Sequence, residues 1–184
     1  MGIEACGLFA DAAACAAACT GQDASARTPD GWPAQVGECL GRAIVNGRCD
    51  AAAAADCFVP ASCENQDVQL IPPEGGRFDV VTAGRADAYD ASCGGQGPEA
   101  VLALPVRANA TVTVEIVQAD YDTLIFARRD DCEDGGQEVA CNDDFNGLNS
   151  LIQFQAEPGL YYIYIDGFGG DSGRSTVRVG VQAR

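Results

Sequence analysis

Seven of the ten cysteines in this 184-residue chain lie before residue 64; only Cys93, Cys132 and Cys141 follow it. So many cysteines in so short a chain, with no C-x-x-C knuckle for zinc, point to a disulfide framework formed in an oxidising compartment. The same boundary divides two compositions. Residues 1–63 hold the alanine runs Ala12–Ala18 (broken by Cys15) and Ala51–Ala55 and almost no β-branched residues, which is helical composition. Asp11 is placed to cap a helix through Cys19 and Asp50 another from Ala51, with a third from about Pro33 to Val45, stopped by Asn46-Gly47. A stretch this short cannot bury an adequate apolar core, so the expectation for 1–63 is a small helical module stapled by cystines.

Residues 64–184 read as β. Strands are expected at Asp67–Ile71, Phe78–Thr82, Ala100–Val106, Thr111–Val117, Thr123–Arg128, Leu151–Gln155, Tyr161–Asp166 and Ser175–Val181. Val112, Val114 and Ile116 alternate with Thr111, Thr113 and Glu115, and Val177, Val179 and Val181 with Thr176, Arg178 and Gly180. Gly- and Pro-rich turns separate the segments and no helical pattern intervenes. The fold class is therefore mainly β, an antiparallel β-sandwich or jelly roll with the helical region at its N-terminus. Cys132 and Cys141 flank the turn-rich Glu133–Gln137, so the simple pairing closes that loop. Cys93 is then left to cross-link 64–184 to a cysteine of 1–63, the alternatives being free thiols or an intermolecular bond.

Charge removes most chemistry. There are 27 Asp and Glu against 11 basic residues, all arginine, with no histidine, giving a net charge of -16. Without His there is no Ser-His-Asp or Cys-His pair; without Lys there is no Schiff base and no phosphate-loop lysine. So acidic a surface repels a phosphate backbone, which excludes nucleic acid as a partner. No segment reaches the roughly 18–20 apolar residues of a membrane span. Glu4 and Asp11 interrupt the apolar N-terminal stretch, so no secretory signal is visible; Met1 reads as a start codon added to a mature chain. The expected location is extracellular or at the cell surface.

From Ser92 onward an ordered set of motifs carries a resemblance. Cys93-Gly94-Gly95-Gln96-Gly97-Pro98-Glu99-Ala100 leads into a strand. Tyr121–Phe126, Ala140-Cys141-Asn142-Asp143-Asp144, Leu160–Gly167 and Gly169–Gly173 follow. Over roughly residues 66–183 the succession resembles the bacterial pre-peptidase C-terminal domain, in its cysteine-containing version. The resemblance implies a β-sandwich with a non-catalytic accessory role, binding extracellular matrix or polysaccharide or assisting export. It also implies a link to calcium, which a related collagenase module binds.

The residues themselves offer two candidate sites. Asn142, Asp144 and Asn146 alternate before Gly147, as oxygen donors do in the first half of a calcium loop. The closing Glu of an EF-hand is missing, with Gln153 in its place, so Asp130, Asp131 and Asp134 of the same hairpin are the candidates to complete a Ca2+ site. The competing reading is that these residues stabilise turns. Tyr162 and Tyr164 share a strand face and, with Phe168, form a candidate platform for sugar or protein, unless they simply cover the sheet. Asp171-Ser172-Gly173 stands alone and is no aspartic-protease pair; no feature singles out two carboxylates for a hydrolase. The expectation is a non-enzymatic binding module for an extracellular protein or polysaccharide, or alternatively a self-associating subunit of a filament or surface layer.

Overall fold

A computed structural model describes residues 67–129, 131–132 and 137–184, together with the backbone of 44–45 and 48–49. The expected helices of the first 63 residues lie outside the described residues, with one exception. Near Val45 the chain is extended: β1 (Ile44–Val45) pairs with β2 (Arg48–Cys49), Ile44 opposite Cys49 and Val45 opposite Arg48. The helix expected up to Val45 therefore does not extend to that residue.

The rest is a two-sheet sandwich. β3 (Val68–Leu70), β5 (Ala100–Val106), β10 (Gly159–Gly167), β7 (Thr123–Arg129) and β8 (Glu138–Asn142) form a five-stranded sheet in that order. β4 (Gly75–Val81), β11 (Arg174–Ala183), β6 (Ala110–Ala119) and β9 (Leu151–Ala156) form a four-stranded sheet. In these two sheets every pairing is antiparallel except β3 with β5.

Period-two alternation builds the core between the sheets. Leu102, Leu104 and Val106 of β5, Ile125 of β7 and Tyr161, Ile163 and Ile165 of β10 face Val112, Val114 and Ile116 of β6, Ile152 and Phe154 of β9 and Val177 and Val179 of β11. Truncating one such residue, Ile163 for example, removes about 2–5 kcal/mol. The five-stranded sheet is unusual in being buried on its other face too: all seven residues of β5 and all nine of β10 are buried. The near-continuous apolar run Leu160–Ile165 is the sequence counterpart of that double burial.

The cystine framework differs from expectation. Cys141 is bonded to Cys93, with Cα atoms 5.9 Å apart. β8 explains this: it sets Glu138 opposite Arg128 and Cys141 opposite Phe126, about 10 Å further along the ladder than the strand end that Cys132 follows. Cys141 therefore faces the turn Ala91–Gly94, where the Cys93 N–H lies 3.3 Å from its sulfur and Ser92 bonds Glu138. Neither the local Cys132–Cys141 pair nor a cross-link from Cys93 to the first 63 residues forms. Cys132 is in a disulfide as well, with neither Cys93 nor Cys141 as its partner.

Candidate functional site

Two loops meet at one end of the sandwich, where β7 begins. The first, 143–149, is fixed by a buried hydroxyl pair: Thr123 Oγ1 lies 2.9 Å from Ser150 Oγ, and Ser150 Oγ lies 2.6 Å from the carbonyls of Thr123 and Asp143. The Thr123 N–H and hydroxyl both donate to Leu148 O, at 3.0 and 2.9 Å. Phe145 and Asn146 close the loop by donating to Asn149 O. The second loop, 168–171, hangs from the neighbouring residue: the Phe168 N–H donates to Asp122 O at 3.0 Å, and Asp171 Oδ2 accepts from the Asp122 N–H at 3.4 Å. Gly94 supports it from beneath, where a Cβ would come within 3.2 Å of the Phe168 ring.

The two loops present Phe145, Leu148 and Phe168, which are 64%, 58% and 45% exposed. Large apolar side chains on loops tied to one strand start are a paratope-like arrangement, since the ordering cost has been met before a partner arrives. Carboxylates surround them. Asp122 is pushed above the usual carboxylate range by partial desolvation and then by the charges of Asp144, Asp171 and Asp143.

Of the expected platform, only Phe168 is at the surface. Tyr162 and Tyr164 are both fully buried. Tyr164 stacks on Phe126 with centroids 4.2 Å apart, meets Tyr89 edge-on at 5.3 Å and donates its hydroxyl to Cys132 O at 2.7 Å. The Arg128 guanidinium sits 5.3–5.7 Å from the centroids of Phe126, Tyr164 and Tyr89, and donates to Cys132 O and Asp90 O. These rings form a second core beneath residues 86–99, with an arginine caged inside it. The tyrosines cover the sheet instead of offering a face to a ligand.

The expected calcium set is divided by β7. Asn142 lies opposite Ile125 near the start of that strand, and Asp144 and Asn146 follow in the exposed loop. Asp131 lies beyond the other end of the strand, roughly 20 Å away along it; Asp130 and Asp134 lie outside the described residues. Asn142 itself is engaged in the turn, its amide donating to Asp144 O and its carbonyl oxygen accepting from the Leu151 N–H. Asp143 Oδ1 accepts from the Asp144 N–H. Among the described residues no group of three or more His, Cys, Asp or Glu is placed to hold a metal.

A second acidic group lies near this end, beneath the Gly94–Gly97 strap. Glu99 and Asp166 are both fully buried. Glu99 accepts the Ala88 N–H on both carboxyl oxygens, and Asp166 Oδ1 accepts the Gly167 N–H, while Asp166 Oδ2 is buried with no hydrogen-bond partner. A Cβ on Gly95 would stand 3.0 Å from Asp166 Oδ2, and one on Gly97 would stand 3.0 Å from Oδ1 and 2.7 Å from the carbonyls of Gly167 and Asp171. Burial, ahead of every other cause, raises both carboxyls to about 7. Sequence reading did not find this pair, nor Phe145 and Leu148. The signal for the latter two was on view, as bulky apolar residues inside a run of Asn, Asp and Gly have no core to enter.

The fold and its loop end thus define a two-sheet β-sandwich presenting an apolar tip set in carboxylates. No family model matches the chain, and no curated protein matches it. Solved structures similar to it include the pre-peptidase C-terminal domain of a collagenase from Bacillus anthracis, of the family that the motifs resemble. That likeness has a TM-score of 0.41 and 17% identity, over 64% of this chain and 96% of that one. A periplasmic inhibitor of g-type lysozyme from Aeromonas hydrophila gives a TM-score of 0.40 at 14% identity, over 64% and 99% of the two chains. A surface-associated copper-binding protein of Methylomicrobium album BG8 gives 0.44 at 10%, over 65% and 99%.

Proposed function

We propose that the chain is an exported, non-catalytic binding module that engages extracellular protein or polysaccharide surfaces through the loop end of its sandwich. The observation that carries this reading is the exposure of Phe145, Leu148 and Phe168 on loops fastened to the adjacent residues Asp122 and Thr123. Burying each against a partner contributes about 1.5–3 kcal/mol, and the hydrogen bonds that hold the loops reduce the entropy lost on binding. Binding is favoured over hydrolysis because the carboxyls poised near neutrality, Glu99 and Asp166, are sealed from any substrate. Calcium belongs to the reading as a counter-ion at this same end, through Asn142, Asp144 and Asn146, which must first release the Asn142 side chain from Leu151.

The test is a variant carrying Phe145→Ser, Leu148→Ser and Phe168→Ser, compared with the parent on immobilised matrix proteins and polysaccharides. All three positions are exposed, so the thermal midpoint should hold while binding is lost. A variant that binds every surface as the parent does removes the loop end from the function.

A further inference from the structure

We infer that the partner of this loop end is a basic polypeptide surface, one that sets arginine or lysine around apolar side chains. The inference rests on the loop end being the binding face, and it comes from what the apolar tip is surrounded by. Asp122, Asp143, Asp144 and Asp171 stand on the same two loops and the residue that anchors them, and Asp120 follows at the rim, where its Oδ1 accepts the Arg174 N–H. Across these loops and their anchors, residues 120–123, 142–150 and 166–174, Arg174 is the one basic residue. The chain as a whole adds a field of net charge -16.

A partner covering Phe145, Leu148 and Phe168 must also take water from those carboxylates. Leaving a carboxylate buried without a counter-charge costs several kcal/mol. The carboxylates already repel one another, and a cation relieves that repulsion where a neutral sugar hydroxyl does not. An anionic polysaccharide and a second copy of this chain both bring like charge to like charge. A basic polypeptide alone supplies apolar contact, counter-charge and long-range attraction together.

Fluorescence titration of the oxidised full chain would use four probes. These are a labelled peptide alternating arginine and leucine, its glutamate-leucine counterpart, the neutral glucan laminarin and heparin. The variants are the triple serine variant above and Asp143→Asn with Asp144→Asn and Asp171→Asn. The arginine peptide should bind best, weaken about tenfold or more in either variant and weaken with added salt. Thermal midpoints of the variants confirm that the fold persists. If laminarin or heparin binds better, is lost in the serine variant and survives in the asparagine variant, the loop end remains the binding face and the basic partner is overturned. Self-association in light scattering that the serine variant abolishes overturns the basic partner in the same way. If the serine variant binds every probe as the parent does, the loop end is not the binding face and both readings fall.

Discussion

Glu99 and Asp166 are carboxylic acids held where an ion is costly. Their neighbours are the further acids Asp87 and Asp90, with the Tyr121 phenol also near Asp166, so no charge of opposite sign is among the groups acting on them. Both are raised to about 7 by burial, from ordinary values near 4. The native state therefore holds these protons more tightly than the unfolded chain does. The resulting stabilisation is complete below about pH 4, declines between about 4 and 7, and is gone above that range. The thermal midpoint should fall from pH 5 to pH 8, and Asp166→Asn, which keeps shape and removes the ionisation, should flatten that slope. A midpoint that rises over the interval, or a slope unchanged in Asp166→Asn, would show that the pair is not what the proton stabilises. Phe168 follows Asp166 by two residues, just past the end of β10, so the loosened state at high pH should also bind partners less well.

At the scale of elements, the Cys93–Cys141 bond fastens the Ala91–Gly94 turn across β8, which forms one edge of the five-stranded sheet. It spans a sequence separation of 48, for which the chain-entropy account gives about 4 kcal/mol. Cys93→Ser with Cys141→Ser should lower denaturant stability by an amount of that order. A loss under about 1 kcal/mol would mean that β7 and β8 hold the turn without it. Within the two sheets, β8 is also the strand that alternation did not reveal. Glu138–Asn142 mixes charge, a half-exposed cysteine and one exposed valine, because an edge strand needs no regular apolar face. The other eight strands of the two sheets fall close to their expected places, since an inward-facing apolar row rules most of them. β4 starts at Gly75 instead of Phe78: two glycines with φ of 81° and 155° read as a turn but begin the strand, where a Cβ on Gly75 would strike Val179 O. Alternation placed Tyr162 and Tyr164 on one face correctly. It could not say that the face was covered, because the cover comes from Tyr89, Arg128 and Cys132, remote in sequence from that strand.

For the whole molecule, the balance of -16 charges makes the acidic end the natural place for a cation to act. Unfolding of the oxidised protein followed with calcium and with chelator should show a higher midpoint in calcium. Ligand at 100 times its dissociation constant adds about 2.7 kcal/mol. The rise should be absent with magnesium and lost in Asp144→Ala. Equal midpoints in calcium and chelator would leave Asn142, Asp144 and Asn146 as turn residues. Light scattering in the same buffers separates a binding module, monomeric at micromolar concentration, from a filament subunit.

The double burial of β5 and β10 sets how the molecule breathes. Amide deuteration should reach β10 last, because exposing its backbone requires parting two packed layers at once. Residues 143–149 and 168–171 should exchange earliest, apart from the hydrogen-bonded amides of Asp144, Phe145, Asn146, Asn149, Phe168 and Asp171. Solvent would then trace the loop end as a fast-exchanging rim on a slow centre. A partner that settles there should slow the rim and leave the centre untouched.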